Sequence, residues 1–213
     1  MLKGSSLEFG YYRLLERHLV PLLALTGIKP DHVSILGLLI SLAAGIAFAF
    51  YPLVGGLLTL VTGLLDTLDG SLARSTGRSR KFGAFLDSVL DRYTELIIYI
   101  GVWFYFYRQG STSPAFYLTF LFILFGSLMV SYTRARAEGL GERCMGGVFQ
   151  RGERIILIAL AGIFNPLVNH LMDLPHGHWI SDIVLVAALI VLAVGTNLTA
   201  IWRFLSVLRN LKY

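Results

Sequence analysis

Residues 66–91 read DTLDGSLARSTGRSRKFGAFLDSVLD and join two apolar segments of the chain. Asp66 and Asp69 lie before a basic turn, and Asp87 and Asp91 lie after it. Because helical side chains three or four residues apart share a face, each pair forms an acidic stripe on its helix. At about 1.5 Å per residue, Asp69 should lie level with Asp87, and Asp66 level with Asp91. The sequence therefore predicts two adjacent helices whose four carboxylates converge.

The composition around this motif is that of an integral membrane protein. Of the 213 residues, 55% are hydrophobic and only 15% are charged, and the mean hydropathy is +0.69. A soluble domain has a charged fraction nearer a quarter. Six apolar segments have about the 20 residues that a helix needs to cross a bilayer. They lie at about residues 31–52, 54–74, 84–107, 115–135, 153–172 and 181–203.

The segment before the first apolar span has a different pattern. Residues 5–25 place leucines at helical spacing with charged residues between them, which is typical of an amphipathic helix at a membrane interface. We therefore expect an all-α integral membrane protein with a single domain over residues 1–213. It comprises an N-terminal amphipathic helix within residues 1–28 and a bundle of six transmembrane helices over residues 31–209. No apolar core precedes a cleavage site, so no signal peptide is expected.

The basic residues predict the orientation of the chain in the membrane. Seventeen of the 18 lysines and arginines lie on one side of the predicted bundle, and only Arg108 falls in the opposite loops. By the positive-inside rule, both termini and the four aspartates face the cytoplasm. The net charge of +5 suits anionic lipid headgroups, an anionic substrate or nucleic acid, and composition alone does not choose among them. Cys144 is the single cysteine, which excludes an internal disulfide.

The four aspartates need a counter-charge, because a charged group at the bilayer centre costs about 2.5–3.5 kcal/mol. Oxygen ligands without a nearby cysteine or histidine favour Mg²⁺, Mn²⁺ or Ca²⁺ over zinc. Ion pairs with Arg74, Arg78 and Arg92, or a proton relay, are the alternatives. A cation or proton-coupled transporter is the rival class of protein. It is disfavoured because the acids cluster toward one leaflet and no internal repeat is visible.

The fixed positions of the motif are Asp66, Asp69-Gly70, Ala73-Arg74, Gly83, Asp87 and Asp91. This spacing is similar to the signature of the CDP-alcohol phosphotransferase family. The resemblance implies a divalent-metal enzyme that moves a phosphatidyl-type group from a CDP-linked lipid to an alcohol and releases CMP. It also implies a homodimer, and it leaves no role for nucleic acid. We expect a multi-pass protein of the cell (plasma) membrane with its active site facing the cytoplasm.

The resemblance implies roles for individual residues. Asp66, Asp69 and Asp87 resemble ligands of Mg²⁺ or Mn²⁺, and Asp91 resembles the general base and a further metal ligand. Arg80 occupies a position where relatives often carry a hydroxyl side chain. We expect the neighbouring Ser79 to supply that hydroxyl instead. The residues expected to bind the CDP-lipid are Pro30, Asp31, Ser34, Asp66, Gly70, Arg74, Ser79 and Arg80.

A second charged group lies at the cytoplasmic ends of the later spans. It contains Ser131, Arg134, Arg151, Arg154 and Arg203. Guanidinium groups suit bidentate contacts with phosphate, so three helices delivering them to one leaflet indicate a pocket for a phosphorylated alcohol. Anchoring by the positive-inside rule is the alternative explanation for part of this charge.

The residues of this second group also resemble one branch of the family. Residues 131–141 and 151–154 are similar to the phosphatidylinositol-phosphate synthases and their archaeal ether-lipid relatives. The resemblance implies that Ser131, Arg134, Arg151 and Arg203 bind the phosphate of inositol phosphate, with Arg154 as a substitute. Glycerol-3-phosphate is the rival acceptor.

Overall fold

The computed structural model describes residues 13–78, 80–142, 144, 146–174 and 181–211, and these ranges contain helices and no strand. The first eight residues of the predicted amphipathic segment, 5–12, lie outside them. A π-helical turn at Leu15–Leu19 continues into α1, Val20–Leu25. Leu15 and Val20 are buried in one cluster with Leu68 and Leu72. This segment therefore packs on the bundle next to the acidic motif.

Six long helices follow, and their bounds lie close to the predicted spans. They are α2 (Pro30–Phe50), α3 (Pro52–Ser75), α4 (Lys81–Arg108), α5 (Pro114–Gly139), α6 (Arg151–Leu171) and α7 (Ile183–Leu211). Proline occupies the first position of α2, α3 and α5, where it loses no helical hydrogen bond. The largest differences from the prediction are at α5 and α7, which continue beyond the predicted spans at their C-terminal ends.

Five of these helices, α2, α3, α5, α6 and α7, are long and apolar enough to cross a membrane. α4 has 28 residues, which is ample length, but the stretch from Lys81 to Glu95 also carries Asp87, Asp91 and Arg92. Within the described residues the structure therefore gives five candidate spans, and a sixth span through α4 stays a prediction.

Helix α2 packs against both acid-bearing helices, α3 and α4, whereas α3 and α4 make few contacts with each other. Gly45 of α2 and Gly101 of α4 allow the closest approach, because a Cβ on either residue would overlap the backbone of the other helix. Gly45 belongs to the small-residue spacing Gly37, Ser41 and Gly45, which suits close helix packing. α2 thus holds the two helices while a space remains between their acidic ends.

The surface of the bundle is apolar over much of its area. Large aliphatic and aromatic side chains such as Leu39 (58% exposed), Leu121 (61%), Phe125 (61%) and Leu198 (60%) point outward. Contiguous apolar surface on this scale is not stable in water. Together with the five apolar helices, it shows a multi-pass membrane protein.

Candidate active site

Three of the four motif aspartates form one cluster. Carboxylate oxygens of Asp66 on α3 and of Asp87 and Asp91 on α4 all lie within 4.8 Å of one another. Asp87 and Asp91 are one turn apart on the same face of α4, and α3 brings Asp66 across the gap. Three carboxylates at this spacing form a set of hard oxygen donors that fits Mg²⁺ or Mn²⁺.

Asp69 points to a different neighbour. Its Oδ2 accepts a hydrogen bond from the Ser34 hydroxyl of α2 at 2.5 Å, and its side chain is buried, with 5% exposed. Asp69 still lines the small space, of about 10 Å³, that is bordered by the other three aspartates. Such a volume is about that needed for one water-sized particle. The contact with Ser34 therefore fixes Asp69 at the edge of the cluster, and its role as a metal ligand stays a prediction.

Arg151, the first residue of α6, supplies positive charge to the acids. Its Nη1 lies 2.6 Å from Asp91 Oδ1 and also donates to Asp66 Oδ1. Its Nε is buried and has no hydrogen-bond acceptor among the described residues. A buried donor without a partner is costly, so an oxygen of a ligand would satisfy it.

The residues expected to bind the CDP-lipid lie toward α2 and the turn after α3. Asp31 accepts a hydrogen bond from Arg80 Nη2 at 3.0 Å, and Arg74 Nη2 donates to Ser71 Oγ at 3.0 Å. The side chain of Arg80 is 57% exposed. Gly70 lies against the guanidinium of Arg74, which a Cβ would approach closely. Pro30 begins α2 and Ser34 follows one turn later, whereas Ser79 lies outside the described residues.

The predicted acceptor residues meet in one cavity of about 350 Å³, a usual volume for a small-molecule site. The wall that borders the aspartate cluster contains Asp87 and Asp91. The predicted acceptor residues in the lining are Ser131, Arg134, Arg151, Arg154 and Arg203. Five arginines against three carboxylates in the lining make the cavity basic, and it opens directly on two of the three clustered aspartates.

Two of these arginines have different surroundings. Arg134 donates to Glu138 at 2.8 Å, and both side chains are more than two-fifths exposed. Arg203 is buried, and it donates to the Gly146 and Val130 carbonyls at 2.7 Å each. Arg134 is free to turn toward a ligand, whereas Arg203 also holds the segment before α6 to the end of α7.

Arg154 has a placement that the sequence did not indicate. It is 1% exposed, and its guanidinium donates to both carboxylate oxygens of Glu95 and to the Phe149 carbonyl. Direct contact with an acceptor phosphate would require it to leave these partners. Glu95 lies four residues after Asp91, so a carboxylate on the same face of a predicted span was the signal that could have revealed this pair.

A second cleft, of about 730 Å³, separates α4 from α5 and is lined mainly by apolar side chains. Its outer walls include Phe85, Leu128 and Tyr132, which are all more than half exposed. Arg92 and Ser131 line both this cleft and the basic cavity. The basic cavity therefore has a side opening toward the apolar surface of the bundle.

Comparison with known families gives one match over most of the chain. Residues 28–194 match the model of the CDP-alcohol phosphatidyltransferase family. The archaetidylinositol phosphate synthase of Methanothermobacter thermautotrophicus is 36% identical over 200 residues, which is 93% of either chain.

Solved structures agree with this match. The phosphatidylinositol phosphate synthase of Mycobacterium tuberculosis with CDP-DAG bound has a TM-score of 0.75 and 30% identity, covering 90% of this chain and 94% of that one. The same enzyme in complex with manganese and citrate has a TM-score of 0.72 and 29% identity, covering 89% of this chain and 87% of that one. A relative of the same fold thus binds a CDP-linked lipid and a divalent cation.

Proposed function

Since the chain belongs to the CDP-alcohol phosphatidyltransferase family, we propose that it transfers a phosphatidyl-type group from a CDP-linked lipid to inositol phosphate and releases CMP. The donor is CDP-diacylglycerol or its ether analogue. The relatives named for inositol phosphate products support this acceptor. Family membership also favours an enzyme over the transporter that the sequence alone had left open.

The observation that carries the proposal is the basic cavity beside the acidic cluster. A phosphorylated acceptor would place its phosphate among Arg134, Arg151 and Arg203, since guanidinium groups bind phosphate through paired hydrogen bonds. Its hydroxyl would then face Asp87 and Asp91 in the cavity wall. An uncharged acceptor would gain no ion-pair attraction from these three arginines.

The acidic cluster would hold Mg²⁺ or Mn²⁺ through Asp66, Asp87 and Asp91, with Asp69 as a further ligand. When bound, the cation would neutralise the pyrophosphate of the donor and stabilise the departing CMP. The carboxylate geometry supports this role, because its oxygens lie within 4.8 Å of one another.

The donor would approach from the side of α2 and the turn after α3. Its cytidine and diphosphate would contact Gly70 and Arg74, with Arg80 and Ser79 at the turn. Pro30, Asp31 and Ser34 at the start of α2 would complete this side. The acids then lie between a donor region near α2 and an acceptor region near α6, so both substrates reach the same carboxylates.

The reaction needs one proton acceptor from the protein. We assign it to Asp91, which would take the proton of the acceptor hydroxyl as that oxygen attacks the phosphorus nearer the lipid. The new phosphorus–oxygen bond joins lipid and acceptor, and the bond to CMP breaks. Arg151, which contacts Asp91 at 2.6 Å, would orient the carboxylate.

The topology completes the proposal. α4 would be the sixth span, with both termini and the acids on the cytoplasmic side of the cell membrane, as the basic residues indicate. The lipid would then meet a water-soluble acceptor at the membrane surface. By resemblance to its family, the protein would act as a homodimer.

The decisive experiment measures CMP release by purified protein supplied with CDP-diacylglycerol or its ether analogue. Inositol phosphate, glycerol-3-phosphate and free inositol are compared at equal concentrations with Mg²⁺. We expect inositol phosphate to give the highest kcat/KM. A preference for glycerol-3-phosphate would reassign the acceptor while keeping a phosphate pocket, and equal use of free inositol would contradict the pocket itself.

A further inference from the structure

Glu95 of α4 and Arg154 of α6 form a two-fold hydrogen-bonded ion pair in the interior. Arg154 Nε lies 2.5 Å from Glu95 Oε1, and Arg154 Nη2 lies 2.8 Å from Glu95 Oε2. Tyr99, one turn further along α4, donates to Glu95 Oε1 at 2.8 Å. None of the three residues is more than 5% exposed. The pair is thus complete within the bundle and separate from the aspartates of the motif.

A buried ion pair of this kind contributes little net stability to the folded protein. Removing two charges from water costs several kcal/mol for each ion, and replacing a buried pair with apolar side chains is often neutral or stabilising. Its position suggests a different role. Glu95 lies one turn beyond Asp91 on α4, and Arg154 lies one turn beyond Arg151 on α6, so the two helices are linked by two successive ion pairs.

Arg154 also holds the segment that leads into the basic cavity. Its Nη1 donates to the Phe149 carbonyl at 2.8 Å, and the Phe149 amide donates to Thr199 Oγ1 of α7 at 3.3 Å. The next residue, Gln150, caps α6, since its backbone amide donates to the side-chain carboxylate of Glu153 at 3.0 Å. Glu95 therefore holds Arg154, and Arg154 holds the Phe149 carbonyl, which lies two residues before the first residue of α6.

We propose that Glu95 and Arg154 are positioning residues for the acceptor: they set the start of α6 so that Arg151 reaches both the cavity and Asp91. This inference rests on the proposed function, because the effect is expected on the phosphorylated acceptor. All three guanidinium nitrogens of Arg154 are engaged within the protein. These bonds hold the guanidinium toward Glu95 and Phe149 although Arg154 lines the cavity, so we expect it to act through Arg151.

The test compares Glu95→Gln and the double variant Glu95→Leu with Arg154→Met. Glu95→Gln keeps the size of the side chain and removes its charge. The double variant replaces the ion pair by apolar side chains, so no charge is left uncompensated in the interior. The double variant should keep a melting temperature near that of the wild type in detergent, whereas Glu95→Gln should melt at a lower temperature, because it leaves the Arg154 charge unpaired. Tyr99→Phe is the matched control, because it removes one hydrogen bond to Glu95 and leaves the ion pair intact.

Steady-state CMP release gives separate KM values for the CDP-lipid and for inositol phosphate. We expect the acceptor KM to rise by about tenfold or more in both test variants, because a misplaced Arg151 loses a charge-assisted hydrogen bond to the phosphate, which is worth about ten- to hundredfold in affinity. The donor KM should stay within twofold, and Tyr99→Phe should behave like the wild type. A wild-type acceptor KM in the folded double variant, or an equal rise in both KM values, would overturn the proposal. An inactive wild type with inositol phosphate would instead contradict the proposed function.

Discussion

Arg151 Nη1 lies 2.6 Å from Asp91 Oδ1, and the same nitrogen donates to Asp66. One guanidinium therefore joins α6 to both acid-bearing helices. Arg151 also lines the basic cavity, where we propose that the acceptor phosphate binds. The group that compensates the acids is thus also a group that would hold the acceptor, which couples the two halves of the site.

The first prediction concerns the metal. Asp66→Ala, Asp69→Ala and Asp87→Ala should each reduce CMP release to background. Each change removes an oxygen ligand of the cation that would neutralise the pyrophosphate charge. Activity should require Mg²⁺ or Mn²⁺ and disappear with a chelator. Asp173→Asn, beyond the opposite end of α6, is the control and should keep full activity. Chelator-resistant release of CMP would contradict the metal site.

The second prediction separates the role of Asp91 as proton acceptor from its role as a metal ligand. Asp91→Asn keeps the shape of the side chain but cannot accept a proton, so turnover should fall by about 10²–10⁴. Binding of the CDP-lipid, measured by equilibrium titration, should persist. Near-normal turnover in this variant would remove Asp91 from the role.

The family and the all-helical fold could be predicted from the sequence, because spacing and hydropathy are local properties. Counting along α3 and α4 also predicted that the acids lie level, and Asp66, Asp87 and Asp91 do meet. The counting could not give the contact of Asp69 with Ser34. That contact depends on how α2 rotates against α3, which close packing decides and sequence spacing does not.

The role of the arginines was harder to predict for the same reason. Arg151 and Arg154 are one turn apart on α6, and the sequence assigned both to the acceptor. The structure turns Arg151 toward the acids and Arg154 toward Glu95. Only the partner on the facing helix distinguishes them, and a single sequence does not show which helices face each other.

The third prediction uses the double role of Arg151. Arg151→Gln removes the positive charge beside Asp66 and Asp91, so a divalent cation should bind more tightly to the acids. The rise in melting temperature on adding Mn²⁺ should therefore be larger than in the wild type. In the same variant, the KM for inositol phosphate should increase by about ten- to hundredfold, the range expected for a lost charge-assisted hydrogen bond. A smaller Mn²⁺ effect than in the wild type would show that Arg151 and the cation do not compete for the carboxylates.

The fourth prediction concerns stability away from the site. Asp182, immediately before α7, is fully buried and accepts hydrogen bonds from the side-chain amides of Asn165 and Asn169. Asp182→Ala would leave buried amide donors without this acceptor, at a cost of about 1–3 kcal/mol for each unsatisfied group. The melting temperature should fall, whereas both KM values should not change. A changed acceptor KM would show that this end of the bundle communicates with the site.

The last prediction tests whether the arginines of the basic cavity bind phosphate through their charge alone or also through the planar geometry of the guanidinium group. Arg134 is exposed and paired only with Glu138 among the described residues, whereas Arg203 is buried and bound to two backbone carbonyls. Arg134→Ala should raise the KM for inositol phosphate by about ten- to hundredfold with little change in the donor KM. Arg134→Lys should recover part of this loss, because lysine keeps the charge but not the planar fork.

Each lysine variant is compared with the alanine variant at the same position. Arg203→Lys should restore less of the KM for inositol phosphate than Arg134→Lys does, because a lysine ammonium cannot reach both carbonyls in the geometry of the guanidinium. Its melting temperature should also fall, since the Gly146 or Val130 carbonyl loses its donor. With free inositol as acceptor, the wild type and Arg134→Ala should be equally slow, because the contact that distinguishes them requires the phosphate. If Arg134→Ala lowers activity with free inositol as much as with inositol phosphate, the arginine does not bind the phosphate, and its charge belongs to the topology of the chain.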